Sequence, residues 1–114
     1  MLTLTEMFKM QAQLTGSHPE WKQYKAESGP YKLLWMLGEA GEIIDIVKKK
    51  DEYELVGPSP VHDHLVEEIV DVQMYIIDVM ACYGITPEEF SAGFAKKHKH
   101  NMIRDYAAEN RETK

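Results

Sequence analysis

Cysteine is nearly absent from this chain: Cys82 stands alone among 114 residues. No internal disulfide can form, and a lone thiol in an apolar stretch reads as a small buried hydrophobe rather than a nucleophile. No apolar run approaches the ~18 residues that a membrane-spanning helix needs. Positive charge is scarce as well. Thirteen Lys and Arg against 19 Asp and Glu leave a net charge of −6, which disfavours a nucleic-acid backbone as the main partner. No stretch alternates apolar and polar residues long enough to read as a strand, and there is neither a Gly-rich phosphate loop nor a Ser/His/Asp set. The opening residues, Met1 to Glu6, lack the basic region and apolar segment of a secretory leader, so a cytoplasmic protein is expected.

With 44% hydrophobic and 28% charged residues, the chain reads as one globular domain over 1–114, large enough for a single modest core. The punctuation predicts an all-α fold, a bundle of four to five helices. Thr3-Leu-Thr-Glu6 has capping-box spacing, and Leu4, Met7, Phe8, Gln11 and Leu14 recur at helical intervals up to Gly16. A short segment around 21–25 is a candidate helix, and Pro30 suits the first turn of a second long helix over 31–50. Gly57-Pro-Ser-Pro60 predicts a loop over 51–61. Asp63 is expected to cap a third helix, apolar nearly all round and therefore the most buried, ending at Gly84. Thr86-Pro-Glu-Glu89 predicts a last helix running to about Ala107. The apolar faces of the second and third helices exceed what one small chain covers, so oligomerisation is expected. Trp35, Met36, Tyr75 and Met80 fit either an interface or the core.

Two pairs of acids interrupt those apolar stretches: Glu39-Ala-Gly-Glu42 and Glu68-Ile-Val-Asp71. Residues three apart share a helix face, so each pair points its acids one way, and antiparallel helices bring the pairs together. Carboxylates withdrawn from water are costly unless paired or metal-bound. Oxygen-only ligands favour hard cations, Mg²⁺ or Mn²⁺. Glu39, Glu42, Glu68 and Asp71 are therefore the candidate metal ligands and catalytic acids.

A second constellation lies on the last helix, where Lys97, Asn101 and Arg104 follow i, i+4, i+7 spacing and form one stripe. Ammonium, amide and guanidinium suit phosphate oxygens, and with a cation on the acids they would neutralise a triphosphate. The spacing of His62 and His64 suits a surface Zn²⁺ or Ni²⁺ ion, but their place at a helix start favours plain solvation. His98 and His100 flank the stripe on other faces. No Glu-x-x-His follows either acidic pair, which argues against a ferritin-like di-iron site.

Taken together, Leu37-Gly-Glu-Ala-Gly-Glu42, Val66-Glu-Glu-Ile-Val-Asp-Val72, Lys97-His-Lys-His-Asn101 and Arg104 resemble the signature of the MazG-like all-α nucleoside triphosphate pyrophosphohydrolases. That superfamily also includes dimeric dUTPases and phosphoribosyl-ATP pyrophosphohydrolase. The resemblance covers 33–104. It implies Mg²⁺-dependent cleavage between the α- and β-phosphates to a nucleoside monophosphate and pyrophosphate; the oligomer expected from the apolar faces is a homodimer or homotetramer. It also implies Glu39, Glu42, Glu68 and Asp71 as metal ligands, and Lys97, Asn101 and Arg104 as phosphate-binding residues. Lys32, Trp35 and Tyr75 are placed at a base pocket by proximity in the pattern. Many relatives carry a further glutamate before the first motif glutamate. Gly38 stands there in this chain, which leaves one of the four acids or a metal-bound hydroxide to activate water. Family analogy leans toward pyrimidine deoxynucleotides. The alternatives are phosphoribosyl-ATP hydrolysis and a catalytically silent helical interaction module.

Overall fold

A computed structural model of the protein describes residues 1–104, which contain five α-helices, one 3-10 turn and no strand. The helices are α1 (Leu4–Gly16), α2 (Gly29–Lys49), α3 (Glu52–Val56), α4 (Pro60–Cys82) and α5 (Pro87–Ile103), with the 3-10 turn at Ala26–Ser28 just before α2. Both capping boxes form. The Thr3 hydroxyl accepts from the Glu6 amide at 3.1 Å while Glu6 accepts from the Thr3 amide at 3.0 Å, and Thr86 and Glu89 repeat the exchange at the start of α5. Gly84 follows α4 at φ 69°, a left-handed turn that glycine enters without the Cβ penalty.

Three boundaries differ from expectation. The segment around 21–25 is not helical, and the single turn forms one step later, at Ala26–Ser28. The expected loop contains α3, because Asp51 caps it by accepting from the Glu54 amide at 2.9 Å. Helix α4 begins at Pro60 rather than near Asp63. Ser59 is its cap, accepting from the His62 amide at 3.0 Å, and proline at the first position has no amide to leave unsatisfied. Helix α5 ends at Ile103; the predicted extension to Ala107 lies outside the described residues.

The main contact joins α2 to α4. Lys32 meets Asp78, Trp35 meets Tyr75 and Glu39 approaches Glu68, so α2 advances as α4 retreats, which is antiparallel packing. Helix α1 lies across α4, and α5 rests on α1 after a 110° bend from α4. Gly29 lets α2 begin tight against α4, since a Cβ there would collide with the Tyr83 ring. The buried apolar residues, Ile77, Met80 and Cys82, sit at the C-terminal end of α4. Met80 and Cys82 are thus core residues, whereas Trp35 is partly open.

Helix α4, expected to be the most buried, does hold more buried residues than any other described helix, and they lie at that end. Leu34, Leu37 and Ile44 on α2, with Val66, Ile69 and Val70 on α4, are between 42% and 64% exposed. These apolar side chains of the α2–α4 pair thus have little cover among the described residues. No single helix among the described residues is long and apolar enough to cross a membrane.

Candidate functional site

Lys32, Trp35, Glu39 and Glu42 occupy i, i+3, i+7 and i+10 on α2, and Glu68, Asp71, Tyr75 and Asp78 occupy i, i+3, i+7 and i+10 on α4. These are single helix faces. Antiparallel packing sets them against each other as one polar seam, with acids at one end and an ion pair at the other.

At the acidic end, one carboxylate oxygen from each of Glu39, Glu42 and Glu68 lies within 4.8 Å of the other two. The Glu68 side chain is only 12% exposed, and its Oε2 is buried with no hydrogen-bond partner. Its Oε1 is 3.2 Å from His64 Nε2, one turn earlier on α4. Burial, followed by the neighbouring Glu39 and Glu42 carboxyls, raises the Glu68 carboxyl above the usual range. Three converging carboxylates and one orphaned oxygen make an oxygen-only donor set of the kind hard divalent cations occupy. Asp71 stands outside this triad and faces the adjoining cavity with Glu39.

That cavity, about 480 Å³ in volume, lies between α1, α2, α4 and the 17–25 segment. Trp35 and Tyr75, tilted across the helix pair with ring centroids 6.5 Å apart, form part of its wall. Trp21 lines it from the irregular segment. The indole is stacked on His18 at 4.0 Å, and the Gln23 amide donates toward the carbonyls of Thr15, His18 and Trp21, which pins the loop. Burial, then the charges of Glu39, Asp78 and Asp71, raises the Tyr75 phenol, keeping it a neutral hydroxyl.

The far end of the cavity is polar and closed. Asp78 accepts from Tyr24 Oη at 2.7 Å and from Gln11 Nε2 at 3.1 Å through Oδ1, while Oδ2 lies 3.5 Å from Lys32 Nζ. Thr15 Oγ1 donates to Tyr24 Oη at 3.3 Å. Gln11, Thr15, Lys32 and Asp78 are all buried.

The acidic triad and the Lys32–Trp35 cavity are thus adjacent. The stripe of Lys97 and Asn101 is not beside them, and Arg104, expected to extend it, follows the last helical residue in extended backbone. Helix α5 contacts α1 and contributes no residue to the cavity; Lys97 and Asn101 are exposed. His62 has a structural role, its Nδ1 lying 2.8 Å from the Leu55 carbonyl oxygen. Helical spacing does not mark Gln11, Tyr24 or Asp78 as site residues. Asp78 was detectable as a lone acid in the apolar run Ile76-Ile77-Asp78-Val79-Met80, seven residues beyond Asp71; Tyr24, in irregular chain, carried no periodic signal. No family model, curated protein or solved structure matches the chain.

Proposed function

We propose that the protein is a MazG-like nucleoside triphosphate pyrophosphohydrolase, cleaving between the α- and β-phosphates to release a nucleoside monophosphate and pyrophosphate. The observation that carries this reading is the convergence of Glu39, Glu42 and Glu68 at an aromatic cavity of nucleotide size. The donor set fits a divalent cation, Mg²⁺ or Mn²⁺, held by the triad with Asp71 as a further oxygen ligand. When bound, the cation supplies neutralisation of phosphate charge and polarisation of the phosphoryl group.

The residues divide the remaining work by position. Trp35 and Lys32 receive the base side of the substrate in the cavity. A carboxylate of the acidic set takes the proton from the attacking water, because Gly38 offers no side chain before Glu39. Lys97, Asn101 and Arg104 hold phosphate oxygens from a second copy of the chain, since α5 is carried away from the triad of its own chain. The same second copy covers the open apolar face of α2 and α4, in a homodimer or homotetramer acting in the cytoplasm.

The uncovered face also favours a second reading, a helical interaction module without turnover. Pyrophosphate release from a panel of nucleoside triphosphates with Mg²⁺ separates the two. Release by the wild type and its loss in Glu68→Gln supports the hydrolase; no release from any nucleotide leaves the interaction module.

A further inference from the structure

The closed end of the cavity has a donor and acceptor pattern of its own. The residues with formal charge that line the cavity are Glu20, Glu39, Asp71 and Asp78 against Lys22 and Lys32, an excess of acid. Lys32 is already matched by Asp78, so an anionic group has no uncompensated cation to meet at the floor. The part of a ligand that reaches it must be neutral and rich in hydrogen bonds. The Trp21, Trp35 and Tyr75 walls add that it is flat.

Gln11 decides the polarity of the floor. Its Nε2 is held by Asp78 Oδ1 at 3.1 Å, which fixes the amide orientation and leaves Oε1 as an acceptor. Asp78 Oδ1 is filled by Gln11 and Tyr24, whereas Oδ2 has only the long 3.5 Å contact with Lys32 and keeps acceptor capacity. The floor therefore presents two acceptors, Gln11 Oε1 and Asp78 Oδ2, beside one ammonium donor.

We propose that Gln11, Asp78 and Lys32 form a nucleobase-reading floor selective for an amino edge, an exocyclic NH₂ beside a ring-nitrogen acceptor, as in cytosine and adenine. The NH₂ donates to Gln11 and Asp78 while Lys32 donates to the ring nitrogen. Thymine and hypoxanthine would set a carbonyl oxygen against those acceptors, leaving buried groups unpaired. Tyr24 and Thr15 are positioning residues that hold Asp78. This inference rests on the hydrolase reading for its biological meaning, but the floor itself is independent of the acidic triad.

The test uses nucleosides without phosphate and protein without added cation. Both tryptophans of the chain, Trp21 and Trp35, line the cavity, so intrinsic fluorescence reports its occupancy. Deoxycytidine and deoxyadenosine are expected to quench saturably and to bind about tenfold or more tighter than thymidine and deoxyinosine. In Gln11→Leu the preference should shrink, whereas Trp35→Leu should weaken all four nucleosides together. Since Gln11→Leu can disturb folding, the wild-type ranking decides alone: no saturable quenching, or equal binding of amino and keto nucleosides, overturns the proposal. Glu68→Gln should keep the ranking. A ranking present in a protein that releases no pyrophosphate removes the hydrolase reading only, and hydrolysis without any ranking removes this one only.

Discussion

Lys32 Nζ and Asp78 Oδ2 stand 3.5 Å apart with side chains 4% and 5% exposed, a buried ion pair that joins α2 to α4 at the cavity wall. Removing one partner strands the other charge away from water, so Lys32→Met should cost about 3–5 kcal/mol. Urea unfolding of both single variants and of Lys32→Met/Asp78→Leu measures the coupling. The double variant should lose clearly less than the two single losses combined; strict additivity would show that the pair does not act as a pair.

The network makes stability sensitive to alkali. Burial first, then the hydrogen bond to Asp78, raises the Tyr24 phenol well above its ordinary value of 10.0. A folded-state pKa above the unfolded one contributes stability that is complete below the unfolded value and is lost as pH rises through the folded value. The melting temperature should therefore fall as pH rises past about 10, where the unfolded phenol ionises first. Tyr24→Phe should flatten that decline, after a smaller loss at neutral pH. An identical alkaline decline in the variant would assign it to other groups.

Cation removal is the third expectation. The Glu68 carboxyl is raised above its ordinary 4.5 by burial and by Glu39 and Glu42, so this acid stabilises the cation-free fold in acid and ceases to as it ionises toward neutrality. A bound cation relieves the repulsion and stabilises by mass action, ~2.7 kcal/mol at a hundredfold excess over Kd. Chelator should lower the melting temperature at neutral pH, less in mildly acidic buffer, and hardly at all in Glu68→Gln. A melting temperature indifferent to chelator would remove the cation from the triad.

Much of this arrangement was legible in the sequence because it obeys helical period. The spacing of Glu39 with Glu42 and of Glu68 with Asp71 is enough to stack each pair, and the capping boxes at Thr3 and Thr86 mark their helices without tertiary information. The start of α4 was misplaced because Ser59-Pro60 offers a cap and first turn as good as any built from Asp63, and α3 is a single capped turn too short for periodicity to show. The polar floor was hidden for another reason. Gln11, Tyr24 and Asp78 come from α1, an irregular segment and α4, and only the crossing of those segments reveals a shared hydrogen-bond network. The separation of α5 from the acids lies in the 110° bend at Gly84, which no side-chain spacing encodes.

That separation makes the phosphate stripe a test of assembly. If Lys97 and Arg104 serve the triad of a second copy, Lys97→Ala should weaken transition-state binding by about 2–4 kcal/mol. Two inactive proteins, Lys97→Ala and Glu68→Gln, should then regain activity when unfolded together and refolded as a mixture, because some mixed assemblies contain one intact site. Leu37→Glu, placed on the open apolar face, should yield monomers in sedimentation and lose the same activity. Full activity in a monomeric Leu37→Glu protein would place the whole site within one chain.

For the proposed hydrolase, the bond that breaks would follow from where the substrate is held. A base seated in the Trp21 and Trp35 cavity, which the acidic triad adjoins at Glu39, would bring the α-phosphate to the carboxylates first and leave the outer phosphates beyond it as leaving group. In the proposed hydrolase, water deprotonated by one of those acids would therefore attack the α-phosphorus. Hydrolysis in ¹⁸O-labelled water should place the label in the nucleoside monophosphate and leave pyrophosphate unlabelled. Label in pyrophosphate would move the attack to the β-phosphorus. Release of inorganic phosphate alone would mean that the triad works on the terminal bond and would overturn this seating of the base.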